Sequence, residues 1–119
     1  MKVLIVDDEI SLAEILCQRL RLRSIDTDVV FDGESAIKYI SNLEPDVMVL
    51  DLNMPGMNGI EVLRAVKRTN PRIQVIIFTG HGSEQDEHEA KGLGAHSFLM
   101  KPANVNVLLS HIMSAYSSR

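Results

Sequence analysis

The chain is poor in cysteine, has no apolar stretch of 18 residues and carries no surplus of positive charge. A single cysteine, Cys17, leaves no internal disulfide to form. Its neighbours at helical spacing, Ile10, Ala13, Leu16 and Leu20, read it as a core thiol rather than a reactive one. Without a long apolar stretch or the hydrophobic segment of a signal peptide, no membrane span is expected, and the chain reads as a soluble cytoplasmic domain. The formal net charge of -4 denies the domain the basic footprint that nucleic acids select, so no nucleic-acid contact is expected from it. His88, His96 and His111 are scattered without ligand spacing and read as structural or surface residues, and His81 reads either as a simple loop residue or as a rim residue that affects water access. There is no internal repeat, low-complexity stretch or linker.

What is present describes one ordinary globular domain over residues 1–119, with 45% hydrophobic and 24% charged residues. Apolar runs too short for helices alternate with segments of helical period. The first strand covers about Lys2 to Val6, and the helix after it offers one apolar face through Ile10, Ala13, Leu16, Cys17 and Leu20. A short strand over Asp28 to Phe31 follows, then a helix from Asp32-Gly33 to about Ser41. Pro45 introduces the third strand, Val47 to Leu50. Asn58 with Glu61 predicts a capping box for the third helix, which Asn70-Pro71 ends. The fourth strand is about Gln74 to Phe78 and the fifth Ser97 to Met100. Between them, Ser83 to Glu89 predicts a solvated helix with an acidic first turn, weakly held because its apolar stripe is thin. The last helix carries Val105, Leu108, Leu109, Ile112, Met113 and Tyr116 on one stripe.

Five strand-helix units imply a parallel sheet with helices on both faces. The first, third and fourth runs are continuously apolar, as strands buried on both sides must be, whereas the second and fifth are shorter or mixed and suit edges. The expected fold is therefore a flavodoxin-like, doubly wound (βα)5 domain with strand order 2-1-3-4-5. In such a sheet ligands bind beyond the carboxyl ends of the strands, at the switch point between strands 1 and 3.

Acids stand there: Asp7-Asp8-Glu9 closes the first strand, and Asp51 closes the third. Three aspartates in one crevice stay ionised only if a cation offsets them or one takes up a proton. A set of oxygen ligands without Cys or His suits Mg²⁺, which keeps waters and favours phosphate oxygens beside one or two carboxylates. A phosphate is the ligand this implies, and Thr79 and Lys101, ending strands 4 and 5, offer a hydroxyl and a mobile positive charge to it.

These residues, with D-x-N-M-P-x-M-x-G from Asp51 to Gly59, Thr79-Gly80 and Lys101-Pro102, resemble the receiver domain of bacterial two-component response regulators from end to end. The resemblance implies a phosphorylation-controlled switch rather than an enzyme, in which Asp51 accepts a phosphoryl group from a phosphohistidine on a sensor histidine kinase or a histidine phosphotransfer protein. It implies Mg²⁺ on Asp8, on Asp7 directly or through water, on Asp51 and on the backbone carbonyl of Asn53. Lys101 would pair with Asp51 before transfer and with the phosphoryl group afterwards, Thr79 would move towards that group, and Gly80 would leave access open. Pro102 would be cis. Phe98 stands at the family's aromatic switch position, so the surface of the fourth helix, fifth strand and fifth helix would change and could carry a homodimer. Met54 and Met57 read as loop packing. Two other classes fit less well. A phosphohydrolase using an aspartyl phosphate needs D-x-D after its first strand and a cap domain, and a flavin mononucleotide protein needs a hydroxyl-rich phosphate loop where Asp7, Asp8 and Glu9 would repel the phosphate.

Overall fold

The apolar runs form the strands of one parallel sheet in the computed structural model, which describes residues Met1–Arg119. The elements are β1 (Lys2–Val6), α1 (Ile10–Leu22), β2 (Asp26–Val30), α2 (Gly33–Asn42), β3 (Val47–Leu50), α3 (Gly59–Thr69), β4 (Gln74–Thr79), α4 (Glu84–Gly92), β5 (Ser97–Met100) and α5 (Val105–Ser117). The sheet order is β2-β1-β3-β4-β5, as the strand compositions lead one to expect. No helix is long and apolar enough to cross a membrane.

Alternation along each strand divides the core in two, because successive side chains leave a strand on opposite faces. Leu4, Val6, Met48, Leu50, Val75 and Ile77 pack with Ala36 and Ile40 of α2, Val62, Leu63 and Val66 of α3, and Ala90 of α4. Val3, Ile5, Val47, Val49 and Ile76 take the other face, against Ala13, Cys17 and Leu20 of α1 and Leu108, Ile112 and Ala115 of α5. Strands buried on both sides explain why β1, β3 and β4 show no polar alternation.

Side-chain caps set the starts of α2, α3, α4 and α5, whereas α1 begins without one. Asp32 accepts from the Ser35 N–H at 2.7 Å, and Asn104 from the Asn106 N–H at 2.7 Å. Asn58 and Glu61 form the expected capping box on α3, and Ser83 and Asp86 form a second one on α4. That second box matters because Ala90 is the only buried residue of α4, so its end hydrogen bonds carry much of the support that packing does not.

Three expectations need correction. The second strand runs Asp26–Val30 rather than Asp28 to Phe31: the pairs Lys2↔Asp26 and Val3↔Thr27 extend it backwards, with Thr27 buried although polar. Ile10 does not share the buried stripe of α1, since it is the first helical residue and is 51% exposed. On α5 the buried face is Leu108, Ile112 and Ala115, while Met113 and Tyr116 turn outward. The small Ala115 is fully buried in the core that α5 shares with α1 and the sheet, and sequence hydropathy gave it no weight.

The loop from β3 to α3 returns tightly on itself. The Gly59 N–H donates to the Leu52 carbonyl at 2.9 Å, and a Cβ at Gly59 would lie 2.6 Å from the Leu52 Cα and against the Asp51 carbonyl oxygen. Those obstructing atoms are backbone and cannot rotate away. Gly59→Ala should therefore lower unfolding free energy by about 1–3 kcal/mol, as overpacking does, read as an earlier urea midpoint with an unchanged slope. An unaltered midpoint would show that the loop has room to relax.

Candidate phosphoacceptor site

Four strand ends meet at the carboxyl edge of the sheet, and ladder-like hydrogen bonds just past the strands fix them there. The Asp7 N–H donates to the Val30 carbonyl at 3.2 Å, the Asp51 N–H to the Val6 carbonyl at 3.0 Å and the Lys101 N–H to the Thr79 carbonyl at 2.8 Å. Backbone pairing of β1, β3, β4 and β5 thus delivers Asp7, Asp8, Asp51, Thr79 and Lys101 to one crevice. One carboxylate oxygen from each of Asp7, Asp8 and Asp51 lies within 4.8 Å of the others.

Burial makes this arrangement costly. Asp7 is 6% exposed, Asp51 5% and Thr79 wholly buried, with Asp8 half-buried. One ammonium pairs with two of the three aspartates and with Glu9. Lys101 Nζ sits 2.6 Å from Asp7 Oδ2, 3.3 Å from Glu9 Oε1 and 3.8 Å from Asp51 Oδ2. Lys101 is thus shared, with Asp7 its nearest partner rather than Asp51. Glu9 is the further participant that sequence reasoning passed over, although it directly follows the acidic pair. Its own N–H donates to Asp7 Oδ1 at 3.0 Å, which orients Asp7 towards the ammonium. The ring of Phe78 closes one side, its centroid 5.5 Å from Nζ.

Asp51 Oδ1 is buried with no hydrogen-bond partner. Desolvation pushes the Asp51 carboxyl above its ordinary range, and Asp7 adds to this, while the nearby Thr79 hydroxyl, Lys101 and the Asn53 amide pull the other way. Burial alone would lower the Lys101 ammonium, but its hydrogen bond to Asp7 and the fields of Asp7, Asp51 and Glu9 outweigh that and raise it. The lysine therefore stays charged and the imbalance remains. A divalent cation on the Asp7, Asp8 and Asp51 oxygens would answer both the excess negative charge and the orphaned oxygen, and an oxygen-only donor set fits Mg²⁺.

The surrounding loops hold the remaining candidates. Asn53 Nδ2 donates to the His81 carbonyl at 3.2 Å, tying the loop after β3 to the loop after β4. The His81 N–H reaches the Thr79 hydroxyl at 3.4 Å, and the His81 side chain is exposed. The Lys101-Pro102 bond is cis. Phe98 is half-buried against the α2/α3/α4 core. Met54 is buried in that core and Met57 packs on it. A Cβ at Gly80 would meet nothing within 4 Å, so no neighbour there demands glycine. The demanding position is Gly82, whose Cβ would come 2.5 Å from Phe98 Cζ and 3.0 Å from Thr79 Cγ2. Nothing in the sequence distinguishes these two glycines, because only the placement of the Phe98 ring does.

A doubly wound parallel domain whose switch point holds an acidic crevice countered by one lysine is a flavodoxin-like fold without a flavin-type phosphate loop. Residues 3–113 match the response regulator receiver domain model, and the chain belongs to that family, a signalling domain of two-component systems. It is 39% identical over 103 residues to the regulatory protein LuxO of Vibrio cholerae, covering 87% of this chain and 23% of that protein. It is 37% identical over 111 residues to the DNA-binding response regulator MtrA of Mycolicibacterium paratuberculosis, covering 93% and 49%. The chain thus spans about a quarter to a half of these relatives. The CheY-like receiver domain protein of Methanospirillum hungatei superposes with a TM-score of 0.95 at 25% identity, over 98% of this chain and 94% of that one.

The burial of Asp51 has a consequence for stability. A carboxyl that holds its proton more tightly folded than unfolded contributes most below its unfolded value, near 3.8, and that contribution is lost as pH rises through the folded value. Above both, the folded state carries the full cost of the buried charge. Asp51→Asn should therefore raise unfolding free energy at pH 8 without divalent ions by about 1–3 kcal/mol, with a smaller gain near pH 4. A variant no more stable than the parent at pH 8 would mean that the carboxylate is adequately solvated.

Proposed function

We propose that Asp51 is the residue this receiver phosphorylates in signalling, and that the observation carrying this reading is its buried, unpartnered Oδ1 beside Asp7, Asp8 and Lys101. The donor is a phosphohistidine of a sensor histidine kinase or histidine phosphotransfer protein. An Asp51 carboxylate oxygen forms the new bond to phosphorus while the bond from phosphorus to the histidine nitrogen breaks, that nitrogen keeping the electron pair. Little covalent chemistry is asked of the protein in such a transfer; alignment and neutralisation of the equatorial oxygens supply the rate.

The chain's own residues divide that work. Asp8 and Asp51, Asp7 directly or through water, and the backbone carbonyl of Asn53 would hold Mg²⁺. That ion, when bound, supplies positive charge towards the phosphoryl oxygens. Lys101 starts on Asp7 and Glu9 and has 3.8 Å to close to Asp51, so it follows the negative charge as the phosphoryl group arrives. Thr79, buried at the end of β4, turns its hydroxyl to a phosphoryl oxygen. Its Cγ2 lies beside Gly82, which in turn abuts the Phe98 ring, so a shift of Thr79 frees space that the ring fills by packing alone. The face of α4, β5 and α5 then changes shape, and an output domain, a partner or a second copy reads it. Water hydrolyses the acyl phosphate slowly and resets the site. The domain works in the cytoplasm and makes no nucleic-acid contact itself.

With Mg²⁺ and acetyl phosphate, the chain should gain one phosphoryl mass, and Asp51→Asn should gain none. EDTA should abolish the gain. A variant labelled as well as the parent would remove Asp51 from this role, and labelling undiminished in EDTA would remove the cation. In the absence of any phosphodonor, Mg²⁺ at tenfold its dissociation constant should raise stability by about 1.4 kcal/mol through binding to the folded state alone. Identical thermal midpoints in Mg²⁺ and EDTA would count against the carboxylate site.

A further inference from the structure

At the opposite end of β5 from the crevice, two histidines far apart in sequence converge on one hydroxyl. Ser97 is 7% exposed, and its Oγ lies 2.7 Å from His96 Nδ1 and 3.0 Å from His111 Nδ1. His96 precedes β5 and is anchored by its N–H to the Val75 carbonyl at 2.7 Å, and His111 lies on α5, next to the buried Ile112. A serine has one proton to give, so it donates to one Nδ1 and accepts from the other ring's Nδ1–H. The two neutral imidazoles must therefore adopt opposite tautomers.

We infer that His96, Ser97 and His111 form a hydrogen-bonded latch between β5 and α5 that accommodates one proton but not two, making this junction sensitive to acid. The ring that donates to Ser97 can take a proton on its Nε2 without disturbing the array. A second proton, on the accepting ring, turns its Nδ1 into a donor as well. The serine proton is then left without an acceptor in a nearly closed site, and two cations face each other across one hydroxyl. The charges bearing on His96 are His111 from α5 and Lys67 from α3, and its burial acts in the same direction as both. Lys67 is fixed in place by the Ile73 carbonyl at 2.6 Å. No carboxylate forms an ion pair with either imidazole. A His96 that resists a second proton fits the accepting role, with its own proton on Nε2, and leaves His111 as the donor. Burial first, then these charges, hold His96 below its ordinary value of 6.5. Because the unfolded chain binds this proton more readily, stability from the latch is complete above pH 6.5 and is lost as pH falls towards the folded midpoint. This latch is independent of phosphoryl transfer at Asp51, although β5 and α5 both belong to the proposed output face.

Imidazole ¹⁵N spectra of the wild-type chain at pH 7.5 test the array directly, with His96 expected as the Nε2–H tautomer and His111 as Nδ1–H. On titration His96 should protonate below 6.5, and its midpoint should rise in His111→Gln and in Ser97→Ala. Between pH 7.5 and 5.5 the urea midpoint should fall, less so in His96→Gln, while His88→Gln, on exposed α4, should behave as wild type. Matching tautomers, or a His96 midpoint indifferent to His111→Gln, would overturn the latch. So would an acid loss of stability undiminished in His96→Gln.

Discussion

Asp51 is held at the end of a strand buried on both faces, 5% exposed and with one carboxylate oxygen unpartnered, while Asp7 and Asp8 place oxygens within 4.8 Å of its own. A single ammonium is shared by Asp7, Asp51 and Glu9, drawn closest to Asp7, and makes no ion pair with Asp8. In a partly desolvated crevice each such charge interacts more strongly than it would in water, so the excess is felt as instability that a cation or a proton relieves. The other features of the rim are arranged around that deficit. Lys101 is shared among Asp7, Glu9 and Asp51, Glu9 orients Asp7, and Thr79 keeps a hydroxyl close by without satisfying the orphaned oxygen.

The fold supplies this constraint through backbone pairing rather than through the acids themselves, which repel one another. Hydrogen bonds from Asp7 to Val30, Asp51 to Val6 and Lys101 to Thr79 continue the ladder beyond the strands. Two separately packed faces, one against α2, α3 and α4 and the other against α1 and α5, keep those strands from yielding. Stability from apolar burial thereby holds a site that is locally unfavourable, the usual relation between a rigid scaffold and a reactive edge. The close return at Gly59 and the contact of Gly82 with Phe98 place the backbone where side chains would not fit.

Much of this was legible in the residues. Continuous apolar runs marked β1, β3 and β4 as central, and the mixed runs marked β2 and β5 as edges, which sufficed for the sheet order. Acids at two strand ends, with Thr79 and Lys101 at two more, identified the crevice because strand ends in a parallel sheet share one edge. What was missed depends on side-chain direction or on contacts between distant segments. The start of β2 was hidden by the polar Asp26-Thr27-Asp28, and the inner face of α5 by the small Ala115. The preference of Lys101 for Asp7 over Asp51 is a matter of about an ångström, below what spacing reveals. His96 and His111 read as scattered because fifteen positions separate them, and only the packing of α5 over β5 brings both to Ser97.

The claim on which the rest turns is that the Asp51 carboxylate is an uncompensated buried charge that a divalent cation relieves. A ¹³C titration of the Asp51 carboxyl carbon, followed without and then with Mg²⁺, reads this directly. Without Mg²⁺ its midpoint should lie above the ordinary 3.8, and with Mg²⁺ the carboxyl should be driven to lower pH. An Asp51 that titrates as an ordinary exposed aspartate, with a midpoint that Mg²⁺ leaves unmoved, would contradict it.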